Sequence, residues 1–292
     1  ASRLRQLGGS SGHWGGMSKP FEDYTFENVR LVAQATADFF ARRHPNRTRK
    51  KIVVGYDRRF LSNEFAVTTA EILAGNGFNV LLSNCPVPTP AVSWHTAHGK
   101  CRAGIMITAS HNPSRFNGFK LKLHHGGPAD PDTCRAIEDL IEINPVRSTT
   151  LKAGRSKKLI LTKDLLPQYF KALKRLVNFE LIAKAKLNFA HEALFGVGAG
   201  CFDQILENTN CKIRTFNGDH DPNFGGICPE PIEKNYQISQ AALRSKPADF
   251  CLVTDGDADR IGGMDGHGNA LTTHQIICLL LKHYIVNRQG EG

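Results

Sequence analysis

Short apolar runs at residues 52–57, 78–82, 104–108, 185–190, 213–216 and 250–254 constrain this chain more than any other feature. Each is bounded by turn residues and separated from the next by segments whose apolar residues recur at helical spacing, so buried strands alternate with covering helices. Thr25 can cap a helix striped by Phe26, Val29, Ala33, Ala37 and Phe40, and residues 62–75, 91–98, 132–143 and 232–244 read as further helices. A helix at 205–211 and a hairpin from Ile261 to Leu271 are also expected. The fold class is α/β. A three-layer α/β/α domain ends near residue 155, and a second unit of like order runs to 271, which makes an internal structural repeat plausible.

The run Gly104-Ile105-Met106-Ile107-Thr108 ends in small and polar residues, as a buried strand does where its carboxyl end opens onto a ligand edge. Ala109-Ser110-His111-Asn112-Pro113 follows, and then Asn117-Gly118-Phe119-Lys120. This order puts Ser110 at that edge. A hydroxyl is a weak nucleophile until a base or cation activates it, and His111 and Lys120 are near enough to be candidates. Asn-Pro and Asn-Gly also make ordinary turns, but the spaced pattern holds more than a turn requires.

A second strand, residues 250–254, leads directly into Asp255-Gly256-Asp257-Ala258-Asp259-Arg260. Carboxylates at i, i+2 and i+4 of an extended segment point the same way, so Asp255, Asp257 and Asp259 converge on one hard cation, Mg2+. An EF-hand reading fails, because the twelfth position counted from Asp255 is Gly266 and not Glu. Gly196-Val197-Gly198-Ala199-Gly200 is a Gly-rich strand-to-helix turn, better explained by tight packing than by phosphate binding.

The net charge of +10 raises the question of a nucleic-acid partner. Residues 147–187 hold eleven Lys and Arg against Asp164 and Glu180, so the imbalance is local. Within them Leu165, Leu166, Tyr169, Phe170, Leu173, Leu176 and Val177 recur at helical spacing and leave Lys171, Lys174 and Arg175 outside. A solvated helix joining two domains explains this; no nucleic-acid motif accompanies the charge, and none is expected as a partner. No apolar run reaches the 18 or so residues of a membrane span. The eight cysteines include no Cys-x-x-Cys pair, so reduced thiols and a cytoplasmic location are expected.

Taken in order, the serine loop and the DGDADR loop resemble those of the alpha-D-phosphohexomutases, the family of phosphoglucomutase and phosphomannomutase. The resemblance covers residues 9 to about 270 and implies the first two of four family domains: 1–155 with the phosphoserine loop, 156–271 with the metal loop, and 272–292 as the start of a third. It implies an intramolecular phosphotransferase, an isomerase of carbohydrate metabolism, that moves phosphate between C1 and C6 of a hexose phosphate. A hexose 1,6-bisphosphate is then both intermediate and activator. Ser110 would carry the phosphoryl group; Asp255, Asp257 and Asp259 would hold Mg2+ beside a phosphoserine oxygen of Ser110; Arg260 would neutralise further phosphate charge. Lys120 matches the general acid or base, with a pKa lowered by neighbouring cations, and equally a phosphate counter-ion. His111 fits loop orientation better than proton transfer.

The family's amino-terminal Thr-Ser-Gly-x-Arg stands here as Ser10-Ser11-Gly12-His13-Trp14, and indole supplies no guanidinium. The chain stops at Gly292 and starts at Ala1, so it is expected to be a piece that is inactive alone. The alternative is a noncatalytic sugar-phosphate-binding or regulatory relative. A phosphatase with an aspartate nucleophile leaves the serine loop unexplained. The sugar and the oligomeric state are not legible.

Overall fold

The computed structural model describes the backbone of residues 13–18 and all of residues 24–43 and 50–290. β1 (His13–Ser18) precedes α1 (Phe26–Arg43), where Thr25 Oγ1 accepts the Asn28 N–H at 3.2 Å and Val29, Ala33, Ala37 and Phe40 are buried as the stripe requires. β2 (Lys51–Tyr56), α2 (Ser62–Gly75), β3 (Asn79–Ser83), α3 (Thr89–His98) and β4 (Ala103–Ile107) then alternate. The serine loop turns β4 back into β5 (Asn117–Leu123), and α4 (Pro131–Glu138), α5 (Leu151–Ser156) and β6 (Ile160–Lys163) follow.

These strands form one six-stranded sheet in the order β1-β5-β4-β2-β3-β6. β4, β2, β3 and β6 are parallel, whereas β5 runs antiparallel to both β4 and β1. Side chains alternate along β2, so Ile52 and Val54 face α1, α2 and α4, while Val53 faces α3 and α6 (Leu166–Leu176) on the other side. The layers are therefore helix, sheet, helix.

After α7 (Phe179–Lys184), the order repeats as β7 (Asn188–Glu192), α8 (Cys201–Ile205), β8 (Lys212–Phe216), α9 (Gln237–Ser245), β9 (Phe250–Thr254), β10 (Ile261–Asp265) and β11 (Ala270–Leu271). The second sheet is β11-β10-β9-β7-β8, with β9, β7 and β8 parallel and β10 antiparallel to its neighbours. Ala190, Leu194, Tyr236, Leu243, Cys251, Val253 and Met264 form its core. α10 (Thr273–Lys282) starts from a capping box made by Thr272 and Gln275. Among the described residues no helix is long and apolar enough to cross a membrane.

Three expectations change. Asn117 to Lys120 are the first half of a strand, not loop. The helix expected at 205–211 lies instead at Cys201–Ile205. The first sheet passes the break expected at 155, since β6 pairs with β3, and the basic helix α6 is no free connector: Leu165, Leu166 and Phe170 bury against the first sheet while Lys171 and Arg175 stay exposed.

Replacing a buried Phe by Ala costs roughly 3–5 kcal/mol, against about 0.5 or less for a surface change. Phe170→Ala is therefore expected to lower unfolding free energy in urea by that larger amount, and Lys171→Ala to leave it nearly unchanged. Equal small effects would detach α6 from the first domain's core.

Candidate functional site

Ser110 leaves β4 in the left-handed region, at φ 54°, unusual for a residue with a side chain. Its N–H donates to Thr108 Oγ1 at 2.8 Å, and Thr108 Oγ1 donates to Asp57 Oδ2 at 2.7 Å. Asp57 closes β2 and forms an ion pair with Arg59, Nε to Oδ2 at 3.1 Å, in which both side chains are fully buried. Arg59 in turn donates to the Ser110 carbonyl at 2.6 Å. The strand ends of β2 and β4 thus hold the serine from behind.

The loop after β9 meets it from the second sheet. Ser110 Oγ donates to Asp255 Oδ2 at 3.1 Å, while Asp255 Oδ1 accepts the N–H groups of Asp259 and Arg260 at 3.0 and 3.1 Å. Lys120, on β5, donates to Asp257 Oδ2 at 2.8 Å and Asp259 Oδ2 at 3.2 Å. Thr89, at the start of α3, donates its hydroxyl to Asp257 Oδ2 at 2.5 Å and its N–H to the Asp257 carbonyl at 2.9 Å. The two loops approach so closely that a Cβ on Gly256 would stand 2.6 Å from the Ser110 carbonyl oxygen, a distance no side chain tolerates. Gly196 is similarly pressed, since its Cβ would meet the Asp255 carbonyl at 2.7 Å. The Gly-rich turn therefore packs under the metal loop, as its packing explanation requires.

Asp255, Asp257 and Asp259 offer one carboxylate oxygen each, all within 4.8 Å of one another. Asp257 Oδ1 is buried without a hydrogen-bond partner, and an acceptor left open inside a carboxylate cluster suits a hard cation. The donor set is all oxygen, which fits Mg2+.

Burial, then Asp257 and Asp259, pushes the Asp255 carboxyl up to about 8. Burial would raise Asp257 as well, but Lys120 and its hydrogen bonds outweigh it and hold that carboxyl below its usual range. For Lys120, burial pulls the pKa down, yet Asp257 and Asp259 overcome it and the net shift is upward. A lowered lysine pKa was expected from neighbouring cations; the neighbours are carboxylates. Burial and then Arg260 lower the His111 imidazole, whose Nδ1 is buried and makes no hydrogen bond. Arg260 itself is exposed. Ser10, Ser11 and Gly12 lie outside the described residues; Trp14 stands in β1 opposite Phe119, one register step from the His13–Lys120 pair.

Phosphoglucomutase/phosphomannomutase alpha/beta/alpha domain I matches residues 5–146, and domain II of the same family matches residues 167–268. The chain belongs to the phosphoglucomutase/phosphomannomutase family. A protein of Methanosphaera stadtmanae described as a phosphoglucosamine mutase is 30% identical over 290 residues, 96% of this chain and 59% of the relative. A phosphoglucomutase/phosphomannomutase of Thermococcus kodakarensis is 28% identical over 93% of this chain and 58% of its own length. The solved structure of a Thermus thermophilus protein described as a phosphomannomutase superposes with a TM-score of 0.85 at 31% identity, covering 97% of this chain and 61% of that one. The chain thus spans about three fifths of the length of these relatives.

The structure brings Ser110, Lys120 and the three aspartates together. His111 and Arg260 border them. Asp57, Arg59 and Thr89 were not anticipated; the signal available was position, since Asp57-Arg58-Arg59 follows β2 and Thr89 opens α3 at the same sheet edge that bears Ser110.

A carboxyl whose folded pKa lies near 8 binds its proton more tightly in the folded protein than in the unfolded chain, where it titrates near 4. Its contribution is complete below the ordinary carboxylate range and is lost as pH rises towards 8. Without divalent cation, stability is expected to fall from pH 6.5 to 8.5, and Asp255→Asn to flatten that slope. Chemical denaturation in EDTA at several pH values measures both; a slope in the wild type that survives the substitution would refute the account.

Proposed function

We propose that the protein carrying this chain is a hexose phosphomutase that moves phosphate between C1 and C6 through a phosphoserine and a bisphosphate intermediate. The observation that carries this reading is the meeting of Ser110 Oγ with the Asp255, Asp257 and Asp259 cluster, each from the loop at one sheet's ligand edge. In it Ser110 gives its phosphoryl group to the free hydroxyl of a hexose monophosphate. The bisphosphate then returns its other phosphate to the serine, which accounts for hexose 1,6-bisphosphate as activator. Asp255, Asp257 and Asp259 would hold Mg2+, whose positive charge would offset the negative charge on the phosphoserine oxygens. Lys120 acts as a cation at neutral pH, which favours the counter-ion role over that of base. Arg260, which is exposed, would neutralise further phosphate charge, and His111 would orient the loop. Relatives named for different sugars leave the hexose itself to experiment.

The boundaries that go with this reading are a phosphoserine domain over 1–155, a metal-loop domain over 156–271 and the start of a third domain over 272–292, with β6 and α6, past the first boundary, packed on the first sheet. The noncatalytic alternative rests on Trp14, which occupies β1 next to the Lys120 register pair where the family pattern has arginine.

Incubating the full-length protein with glucose, mannose and glucosamine monophosphates, Mg2+ and a trace of the bisphosphate tests the proposal. Turnover that Ser110→Ala abolishes, with a mass gain of about 80 Da on the wild type that phosphatase removes, is the expected result. No turnover of any sugar by the wild type, but strong gain on Trp14→Arg, would favour the noncatalytic relative.

A further inference from the structure

The Arg59 guanidinium uses every donor it has. Nε donates to Asp57 Oδ2 at 3.1 Å, Nη1 to the Pro113 and Phe116 carbonyls at 2.8 and 3.0 Å, and Nη2 to the Ser110 and Asn112 carbonyls at 2.6 Å each. A guanidinium carries five N–H groups in a fixed plane, and here four of them gather the carbonyls of a single loop. The guanidinium carbon lies over the ring of Phe224, 4.9 Å from the ring centre. Phe224 comes from the metal-loop half and is itself fully buried.

These contacts bear on one strained residue. Ser110 holds φ 54°, its carbonyl accepts from Arg59, and the Gly256 backbone comes so near the same carbonyl that no Cβ fits between them. A left-handed serine persists only where its surroundings over-determine it. Holding the backbone at Ser110 fixes where its Cβ stands, and the hydrogen bond from Ser110 Oγ to Asp255 Oδ2 then selects the remaining side-chain rotation, so a backbone that shifts carries the hydroxyl away from its partner.

We infer that Arg59 is a positioning residue of the phosphoryl transfer, whose planar fork aims the Ser110 hydroxyl at the metal-loop carboxylates and, through Phe224, makes that aim depend on the docked second half. The inference rests on the mutase reading. Arg59 acts through Ser110 and touches no transferred group. The competing explanation is that it only neutralises Asp57. Lysine separates the two, since it keeps the charge but has neither the fork nor the stacking plane.

In the full-length protein, Arg59→Lys is expected to lower kcat about 100-fold with KM for the hexose phosphate changed by less than about threefold, the pattern of a reacting group misdirected rather than a substrate site lost. Amide hydrogen exchange over residues 110–116 should quicken at least about tenfold while α1 stays protected, a local opening rather than global unfolding. Phe224→Leu, which leaves both charges and the fork in place, should quicken the same loop and lower kcat by about tenfold, the loss of one cation–π contact. Wild-type kcat and exchange in Arg59→Lys would reduce Arg59 to a charge partner. Should that variant fail to fold, unchanged exchange and kcat in Phe224→Leu would overturn the inference by themselves. If the wild type neither acquires phosphate on Ser110 nor turns over a sugar phosphate, the mutase reading falls and takes this inference with it; a working wild type beside an unaffected Arg59→Lys removes only the positioning role.

Discussion

Two opposite charges with no exposed surface, Asp57 and Arg59, sit where β2 ends and the first sheet opens onto its loops. Withdrawing such ions from water costs several kcal/mol each, and their attraction offsets that cost only when the remaining donors and acceptors are also filled. Here they are. Asp57 Oδ1 accepts the Arg59 N–H at 3.0 Å and the Ser62 hydroxyl at 2.7 Å, and Oδ2 accepts Arg59 Nε and the Thr108 hydroxyl. Ser62 Oγ also receives Asn117 Nδ2 at 2.9 Å. One ion pair thereby ties the end of β2, the start of α2, the end of β4 and the start of β5. The serine loop spans the last two, so its geometry follows from the network beneath it.

The two halves of the molecule solve the same problem with different chemistry. In the first sheet β4 lies between β2 and the antiparallel β5; in the second, β9 lies between β7 and the antiparallel β10. The serine loop joins β4 to β5, and the aspartate loop joins β9 to β10. Equivalent turns of two like units thus face each other. Both bend sharply, with Ser110 at φ 54° and Ala258 also at φ 54°. Glycine at 256 then permits a backbone approach that any side chain would block.

Legibility in the sequence followed burial. β2 and β4, buried on both faces, and β9, buried on one face and half-buried on the other, read directly as apolar runs, and Ser110 with the three aspartates read from the loops that end β4 and β9. β5 was missed because Asn117-Gly118 looks like a turn, although Phe119-Lys120-Leu121-Lys122-Leu123 alternates apolar and polar as a strand does; Phe119 and Leu121 bury while Lys120 meets carboxylates from the other half. β6 is four residues long at a sheet edge, too short to signal. The basic stretch misled through its charge, which sits outside, while Leu166 and Phe170 decide where the helix packs. Asp57, Arg59 and Thr89 were hidden because the contacts that give them their roles, to Thr108, to the Ser110 carbonyl and to Asp257, span 51 to 168 residues, and no local spacing records such contacts.

Three carboxylates within 4.8 Å repel one another strongly, roughly 4 kcal/mol for a pair of unit charges 4 Å apart near a protein surface. Two things relieve this cluster. Asp255 keeps its proton up to about 8, and Lys120 brings an ammonium from the first half to Asp257 and Asp259. Thr89, also from the first half, fills another lone pair of Asp257. The metal loop's charge is thus balanced only when the halves are docked, so docking and site electrostatics are a single condition. In the proposed reaction a phosphoryl group on Ser110 adds about −1.5 to −2 charge next to Asp255. One ammonium cannot neutralise that as well as two or three carboxylates. A divalent cation among the aspartates would resolve the imbalance, and the buried Asp257 Oδ1, which has no hydrogen-bond partner, is an acceptor open to it.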